Sequence, residues 1–182
     1  MTQQGRLIAV VGPSGVGKDS VMAGLKDALP QLHLVQRVIT RPREAGGEDH
    51  TPASALEFDA MAAKGAFALH WQAHGLRYGI PVQVSERLAG GTDCLVNLSR
   101  KVLNDADEAF AQFIVLNITA RPETLAARLA ARGREGHADI ARRLQEAEKP
   151  LPQGLDIRHV SNDGPLADAV AQAAARLQLE RV

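Results

Sequence analysis

The sequence predicts an α/β fold, a parallel sheet with helices on both faces, and three observations carry that prediction. An apolar run, Leu7-Ile8-Ala9-Val10-Val11, feeds the segment Gly12-Pro13-Ser14-Gly15-Val16-Gly17-Lys18-Asp19-Ser20, which opens a helical pattern through Val21, Met22, Leu25 and Leu29. Two more apolar runs, Cys94–Leu98 and Phe113–Ile118, flank a helical segment, and strands that alternate with helices imply a covered parallel sheet. Finally, Pro122 opens a helix that Gly133 closes, and a second helix follows a short link. Arginines on both sides of that link suit a lid.

The elements follow in order. A strand at about 6–11 enters the glycine loop, and a helix runs from Lys18 to about Leu29, where Pro30 stops it. Alternation over His33–Ile39 predicts a second strand. Residues 40–50 are too polar and too rich in Gly and Pro for a regular element. Ala53–Lys64 predicts a short helix with Leu56, Phe58 and Met61 turned to the core. Phe67–Trp71 and Gly75–Pro81 predict strands or turns of a small subdomain, Val82–Leu88 a helix and Arg100–Ala111 another. The Pro122 helix carries the stripe Leu125 and Leu129; after the link 133–137 comes a helix at about 138–149. Ile157–Val160 predicts the last strand, and Pro165–Leu179 a closing helix with Val170, Ala174 and Leu177 inward. The 182 residues are expected to form one domain, with an insertion over about 37–91 and a lid over about 132–143.

Acidic and basic residues balance at 21 each, so no global field favours nucleic acid or a membrane surface. No apolar run approaches membrane-spanning length, and the polar lead 1–5 does not read as a signal peptide. One cysteine, Cys94, allows no internal disulfide and reads as a buried small hydrophobe. A cytoplasmic protein acting on small molecules is expected.

The glycine loop matches G-x-x-x-x-G-K at Gly12, Gly17 and Lys18. Its N–H groups can form an anion nest, the following helix adds its positive end, and Lys18 supplies a point charge for phosphates. The next residue, ordinarily a Ser or Thr that holds magnesium, is Asp19. Its carboxylate, with Ser20 beside it, either reaches magnesium or caps the helix start; both readings stand here. Arg37, Arg41 and Arg43 lie within seven residues, Pro42 stiffens the backbone, and His50 follows. Guanidinium forks held in this way fit phosphate oxygens. Tyr78 is a ligand candidate because its hydroxyl needs a polar partner, whereas Trp71 reads as core packing. Arg128 and Arg132, four apart, share one helix face, and Arg142 and Arg143 sit on the next helix.

The set formed by the P-loop, Thr40-Arg41-Pro42-Arg43, Tyr78-Gly79, Arg128-x-x-x-Arg132-Gly133 and Asn162-Asp163 resembles the guanylate kinase branch of the P-loop nucleoside monophosphate kinases, over nearly the whole chain. The resemblance implies ATP bound by Gly12, Pro13, Ser14, Gly15, Val16, Gly17, Lys18, Asp19 and Ser20, with Asn162 near adenine. It implies an acceptor phosphate held by the Arg41–Arg43 loop and Tyr78, and lid arginines Arg128, Arg132 and Arg143 on the transferring group. Two guanine-reading acids of that branch are missing: His70 stands in Ala68-Leu69-His70-Trp71, and Asn97-Leu98-Ser99-Arg100 has no acid. His50 stands where a tyrosine is expected. A site without its partners for guanine should lose guanine by a large factor.

The acceptor side instead gains His50, His70, His74, Arg77 and Arg100, which suits an acceptor with more phosphate and no base. In this the chain is similar to the ribose 1,5-bisphosphate phosphokinases of bacterial phosphonate breakdown. The shared residues are Gly12-Pro13-Ser14-Gly15-x-Gly17-Lys18-Asp19-Ser20 with its Lys-Asp-Ser ending, Ile39-Thr40-Arg41, Gly47-Glu48-Asp49-His50, Gly75-Leu76-x-Tyr78-Gly79, Val96-Asn97-x-Ser99-Arg100 and Asn162-Asp163-Gly164. That similarity implies transfer from ATP and magnesium to ribose 1,5-bisphosphate, giving 5-phosphoribosyl 1-diphosphate and ADP. Arg37, Arg41, Arg43, His50, His70, Tyr78 and Arg100 would then hold the acceptor. The alternatives are a guanylate or other nucleotide kinase, and a non-catalytic binding module on the same fold.

Overall fold

The structure is a computed structural model and describes residues 4–45, 48–133 and 136–178. Its strands are β1 (Leu7–Val11), β2 (His33–Leu34), β3 (Val38–Ile39), β4 (Thr51–Pro52), β5 (Phe67–Ala73), β6 (Leu76–Pro81), β7 (Cys94–Asn97), β8 (Phe113–Thr119) and β9 (Ile157–Ser161). Five form one sheet in the order β2-β7-β1-β8-β9, and four form a smaller one in the order β4-β3-β6-β5. The β2–β7 and β8–β9 pairs are parallel, as the continuous apolar runs predict. Every residue of β1 is buried. The helices are α1 (Lys18–Ala28), α2 (Ala55–Ala63), α3 (Gln83–Ala89), α4 (Leu103–Ala109), α5 (Pro122–Arg132), α6 (His137–Ala147) and α7 (Leu166–Gln178). Among the described residues no helix is long and apolar enough to cross a membrane.

The chain divides into two compact units, residues 1–9 with 31–113 and residues 10–30 with 114–182. The segment 37–91 falls within the first and 132–143 within the second, although Arg134 and Glu135 of the link lie outside the described residues.

In the first unit the predicted strand 33–39 is two strands. β2 pairs with β7, whereas β3 belongs to the smaller sheet, so residues 35–37 carry the chain from one sheet to the other. Thr40 extends the β3–β6 ladder: its N–H donates to the Arg77 carbonyl (3.0 Å) and its Oγ1 accepts from the Arg77 N–H (2.8 Å). The β5–β6 hairpin closes on His74 and Gly75, both at positive φ, as a two-residue hairpin loop requires. α2 begins with a capping box between Ser54 and Glu57, whose bonds hold the Glu57 carboxyl below its ordinary range. Phe58 is buried in α2, but Leu56 is 82% exposed, contrary to the expected core position. The predicted helix 100–111 starts as a 3-10 turn, Arg100–Val102, before α4. Cys94 is fully buried, and burial pushes its thiol up to about 11, so it packs as a hydrophobe.

In the second unit α5 buries Leu125 and Leu129 as expected. α7 buries Ala169, Ala173 and Leu177, one position out of phase with the predicted Val170 and Ala174. Gly24 of α1 lets α7 come close, since a Cβ there would lie 2.5 Å from Val170 Cγ2. Asp163 ties the end of β9 to the start of α5. Its Oδ1 accepts from the Arg121 N–H (2.7 Å) and Thr124 Oγ1 (2.9 Å), and its Oδ2 from Ser161 Oγ (3.0 Å).

The Arg121 N–H first, then the hydroxyls, hold the Asp163 carboxyl at about 2, below its ordinary 3.8. A depressed folded-state pKa gives stability that is complete above the unfolded value and lost as pH falls through the folded one. The Tm gap between wild type and Asp163→Asn should therefore be constant above roughly pH 5 and close towards pH 2. A gap that does not change with pH would contradict this role.

Candidate active site

The residues expected to hold the phosphate donor lie in the second unit. Gly17 starts α1 in the left-handed region (φ 92°), and a Cβ there would sit 2.7 Å from Asn162 Nδ2. Gly12 is equally constrained by space, because a Cβ would lie 2.6 Å from the Ile118 carbonyl oxygen. A loop that turns its N–H groups inward leaves carbonyls that need donors. Lys18 Nζ donates to the Gly12 carbonyl (2.9 Å) and the Pro13 carbonyl (3.4 Å). The Val16 carbonyl accepts from Asn162 Nδ2 (2.8 Å) and Arg128 Nη1 (3.3 Å), while Arg128 Nη2 donates to the Asn162 carbonyl (2.7 Å). Asn162 is 5% exposed, and its Oδ1 is buried with no partner. Asn162 and Arg128 thus have a structural task, gripping the P-loop, that the resemblance did not imply.

Asp19 and Ser20 are exposed in the first turn of α1. The N-cap residue is Gly17 and no side chain caps the helix, so Asp19 meets the dipole end without serving as the cap. Arg132 is exposed one turn beyond Arg128; Arg143 is half-buried on α6, where Arg142 pairs with Asp139 (2.8 Å). Among the described residues no group of three or more His, Cys, Asp or Glu could hold a metal ion.

The residues expected to hold the acceptor fall in the first unit. Arg37 is buried, its Nε donates to Glu48 Oε1 (2.7 Å), and its guanidinium lies 5.0 Å from the Tyr78 ring centroid and 5.7 Å from that of Trp71. Trp71 and Tyr78 pair across the hairpin and stack at 5.4 Å. Arg37 is therefore engaged by an acid and two rings, and it holds Tyr78 in place. The other oxygen of Glu48 accepts from Asn97 Nδ2 (2.9 Å). His50, 1% exposed, spans the loop: Nδ1 lies 3.0 Å from the Glu48 carbonyl oxygen and Nε2 3.0 Å from that of Arg41. Arg41 Nη2 lies 3.4 Å from the same ring, and Arg41 Nε is buried with no partner. Arg43 is exposed at the start of a 3-10 turn.

His70 stands apart from this set. It is exposed and packs edge-on to Phe58 (6.2 Å) and tilted against Phe67 (5.9 Å), on the opposite face of β5 from Trp71. Arg77 is taken by Asp59, whose bond raises its pKa. Arg100 is half-buried in the turn after β7, and burial lowers its pKa. A cavity of about 540 Å³ in this unit is lined by Gln36, Asp49 and Thr51, the chain neighbours of Arg37 and His50 rather than those residues, together with His33, Gln83 and Arg87. It lacks Arg41 and Arg43, so it is not the site described here.

Residue-level reading missed Glu48 and Asn97. Both lie in segments that carry the resemblance, but their bond joins residues 49 apart, and no local pattern signals it.

The chain is 55% identical over 179 residues to a ribose 1,5-bisphosphate phosphokinase of Ruegeria sp. (strain TM1040), covering 98% of this chain and 94% of that one. The chain belongs to the ribose 1,5-bisphosphate phosphokinase family. A second family member, from Pantoea vagans (strain C9-1), is 45% identical over 178 residues, covering 97% and 99% of the two chains. No protein-family model matches. Among solved structures, guanylate kinase from Anaplasma phagocytophilum superposes with TM-score 0.71 at 18% identity, covering 100% of this chain and 88% of that one. The phosphokinase family thus shares its fold with guanylate kinase.

Removing the Asn162 side chain leaves the Val16 carbonyl to Arg128 alone. Asn162→Ala should raise the KM for ATP about tenfold, the worth of one buried hydrogen bond, with the acceptor KM little changed. Steady-state kinetics with each substrate varied checks this, and an unchanged ATP KM would contradict the grip.

Proposed function

We propose that this protein transfers the γ-phosphoryl group of ATP to ribose 1,5-bisphosphate, yielding ADP and 5-phosphoribosyl 1-diphosphate. The observation that carries the reading is the acceptor loop. Arg41 keeps a buried Nε with no partner, which costs roughly 1–3 kcal/mol unless an anion meets it, and Arg43 stands two residues on. Family membership supplies the identity of that anion. The segments Ala68-Leu69-His70-Trp71 and Asn97-Leu98-Ser99-Arg100 lack the acids with which the resembling guanylate kinases read guanine, which disfavours GMP.

An oxygen of the 1-phosphate attacks the γ-phosphorus, a new P–O bond forms, and the bond to the β,γ-bridging oxygen breaks, leaving ADP. A phosphate monoester with a second pKa of about 6 is mostly dianionic at neutral pH, so no general base is required. Catalysis is then positioning and charge neutralisation. Lys18 would exchange its loop carbonyls for donor phosphate oxygens, and Arg128, Arg132 and Arg143 would neutralise the group in transfer. Arg41, Arg43, Tyr78 and Arg100 would hold the acceptor, with Arg37 and His50 fixing Tyr78 and Arg41. Magnesium usually takes one or two protein oxygens and completes its shell with phosphates and water. Asp19 and Ser20, exposed hard-oxygen donors at the helix start, fit that share, and the ion would supply charge neutralisation of the donor phosphates.

The test is ADP release with ATP and either ribose 1,5-bisphosphate or GMP. Turnover with the bisphosphate and little with GMP is expected; the reverse would establish a guanylate kinase. Lys18→Ala should lower turnover by several powers of ten with the fold retained, and near-native turnover in that variant would contradict the donor-site assignment.

A further inference from the structure

Resting on that reading of the acceptor, we infer that Glu48 and Asn97 form the subsite for the 2- and 3-hydroxyls of the ribose and so set the sugar specificity. Ribose 1,5-bisphosphate presents two phosphates, which accept hydrogen bonds, and two hydroxyls, which are its main donors at neutral pH. Arginine is a donor alone, so Arg41 and Arg43 can satisfy phosphates but cannot accept from a hydroxyl. Glu48 supplies the missing chemistry. It is 17% exposed at its side chain, and it sits on the loop that His50 closes against Arg41.

The bonds around Glu48 show which acceptors remain. Oε1 accepts from both Nε and Nη2 of Arg37, at 2.7 and 2.5 Å, which fills that oxygen. Oε2 accepts once, from Asn97 Nδ2 at 2.9 Å, and a carboxylate oxygen can accept twice. With its Nδ2 committed to Glu48, Asn97 has Oδ1 as its side-chain acceptor. Two acceptors on hydrogen-bonded neighbours match two adjacent hydroxyls on one face of a ribose ring. Both are held rigidly, because Arg37 is fixed by the rings of Trp71 and Tyr78 and Asn97 ends the strand β7. A carboxylate beside a sugar bisphosphate would ordinarily repel it. The Arg37 guanidinium offsets that charge while leaving Oε2 its second acceptor position.

The test compares kcat/KM for ribose 1,5-bisphosphate and 2-deoxyribose 1,5-bisphosphate. A site built to bind a hydroxyl rejects the analogue that lacks it, so the wild-type protein should favour ribose by tenfold or more. With 3-deoxyribose 1,5-bisphosphate measured beside it, Glu48→Gln and Asn97→Ala should each bring one of the two ribose-to-deoxyribose ratios towards one, whereas a purely structural role would lower all values together and keep both ratios. Should Glu48→Gln fail to fold, the wild-type ratios and Asn97→Ala still decide. Equal use of the three sugars by wild type, or both ratios kept in the folded variants, overturns the subsite. No turnover of ribose 1,5-bisphosphate at all overturns the proposed function, and the subsite with it.

Discussion

The Val16 carbonyl oxygen is held by Asn162 Nδ2 and Arg128 Nη1, and the shape of the phosphate loop depends on that double grip. The reason is accounting of polar groups. A loop whose N–H groups face a ligand must direct carbonyls elsewhere, and buried carbonyls need donors. Here Lys18 takes those of Gly12 and Pro13, and Asn162 with Arg128 takes that of Val16. Gly17 exists at its position for the same reason, since any Cβ would displace the Asn162 amide. The side chains with most charge for a nucleotide are thus also those that keep the loop in shape. On the proposed reading, binding would exchange bonds from these cations to neutral carbonyls for bonds to charged phosphate oxygens.

The acceptor side follows a similar rule. His50 is spent on two backbone carbonyls, Arg37 on Glu48 and two rings, and Arg41 retains a buried donor, Nε, with no partner. A chain with zero formal net charge can handle polyanions in this way because its cations are concentrated and anchored rather than numerous.

Much of this was legible in the sequence, and the failures share a cause. β1, the P-loop and the α5 stripe are local patterns with strong contrast between apolar and polar positions, and all three stand as expected. Residues 33–39 alternate like one strand but change sheets, which periodicity cannot reveal. On α7 Leu177 faces inward as expected, whereas Ala169 and Ala173 are buried in place of the neighbouring Val170 and Ala174, because alanine offers no contrast and a glycine on α1 decides where Val170 fits. Roles that depend on distant partners were the least visible. His50 looked like a ligand and is a loop strut, His70 looked like a pocket residue and packs on Phe58, and Glu48 drew no attention although Arg37 and Asn97 converge on it.

The central claim is that Arg128 and Asn162 act as one device on the P-loop. A double-mutant cycle on the equilibrium affinity for ATP with magnesium, using Arg128→Ala, Asn162→Ala and the double variant, tests it most directly. Either side chain alone still satisfies the shared carbonyl and only the double variant orphans it, so the double variant should bind at least about fivefold more weakly than the product of the two single losses predicts. Losses that simply multiply would contradict the account.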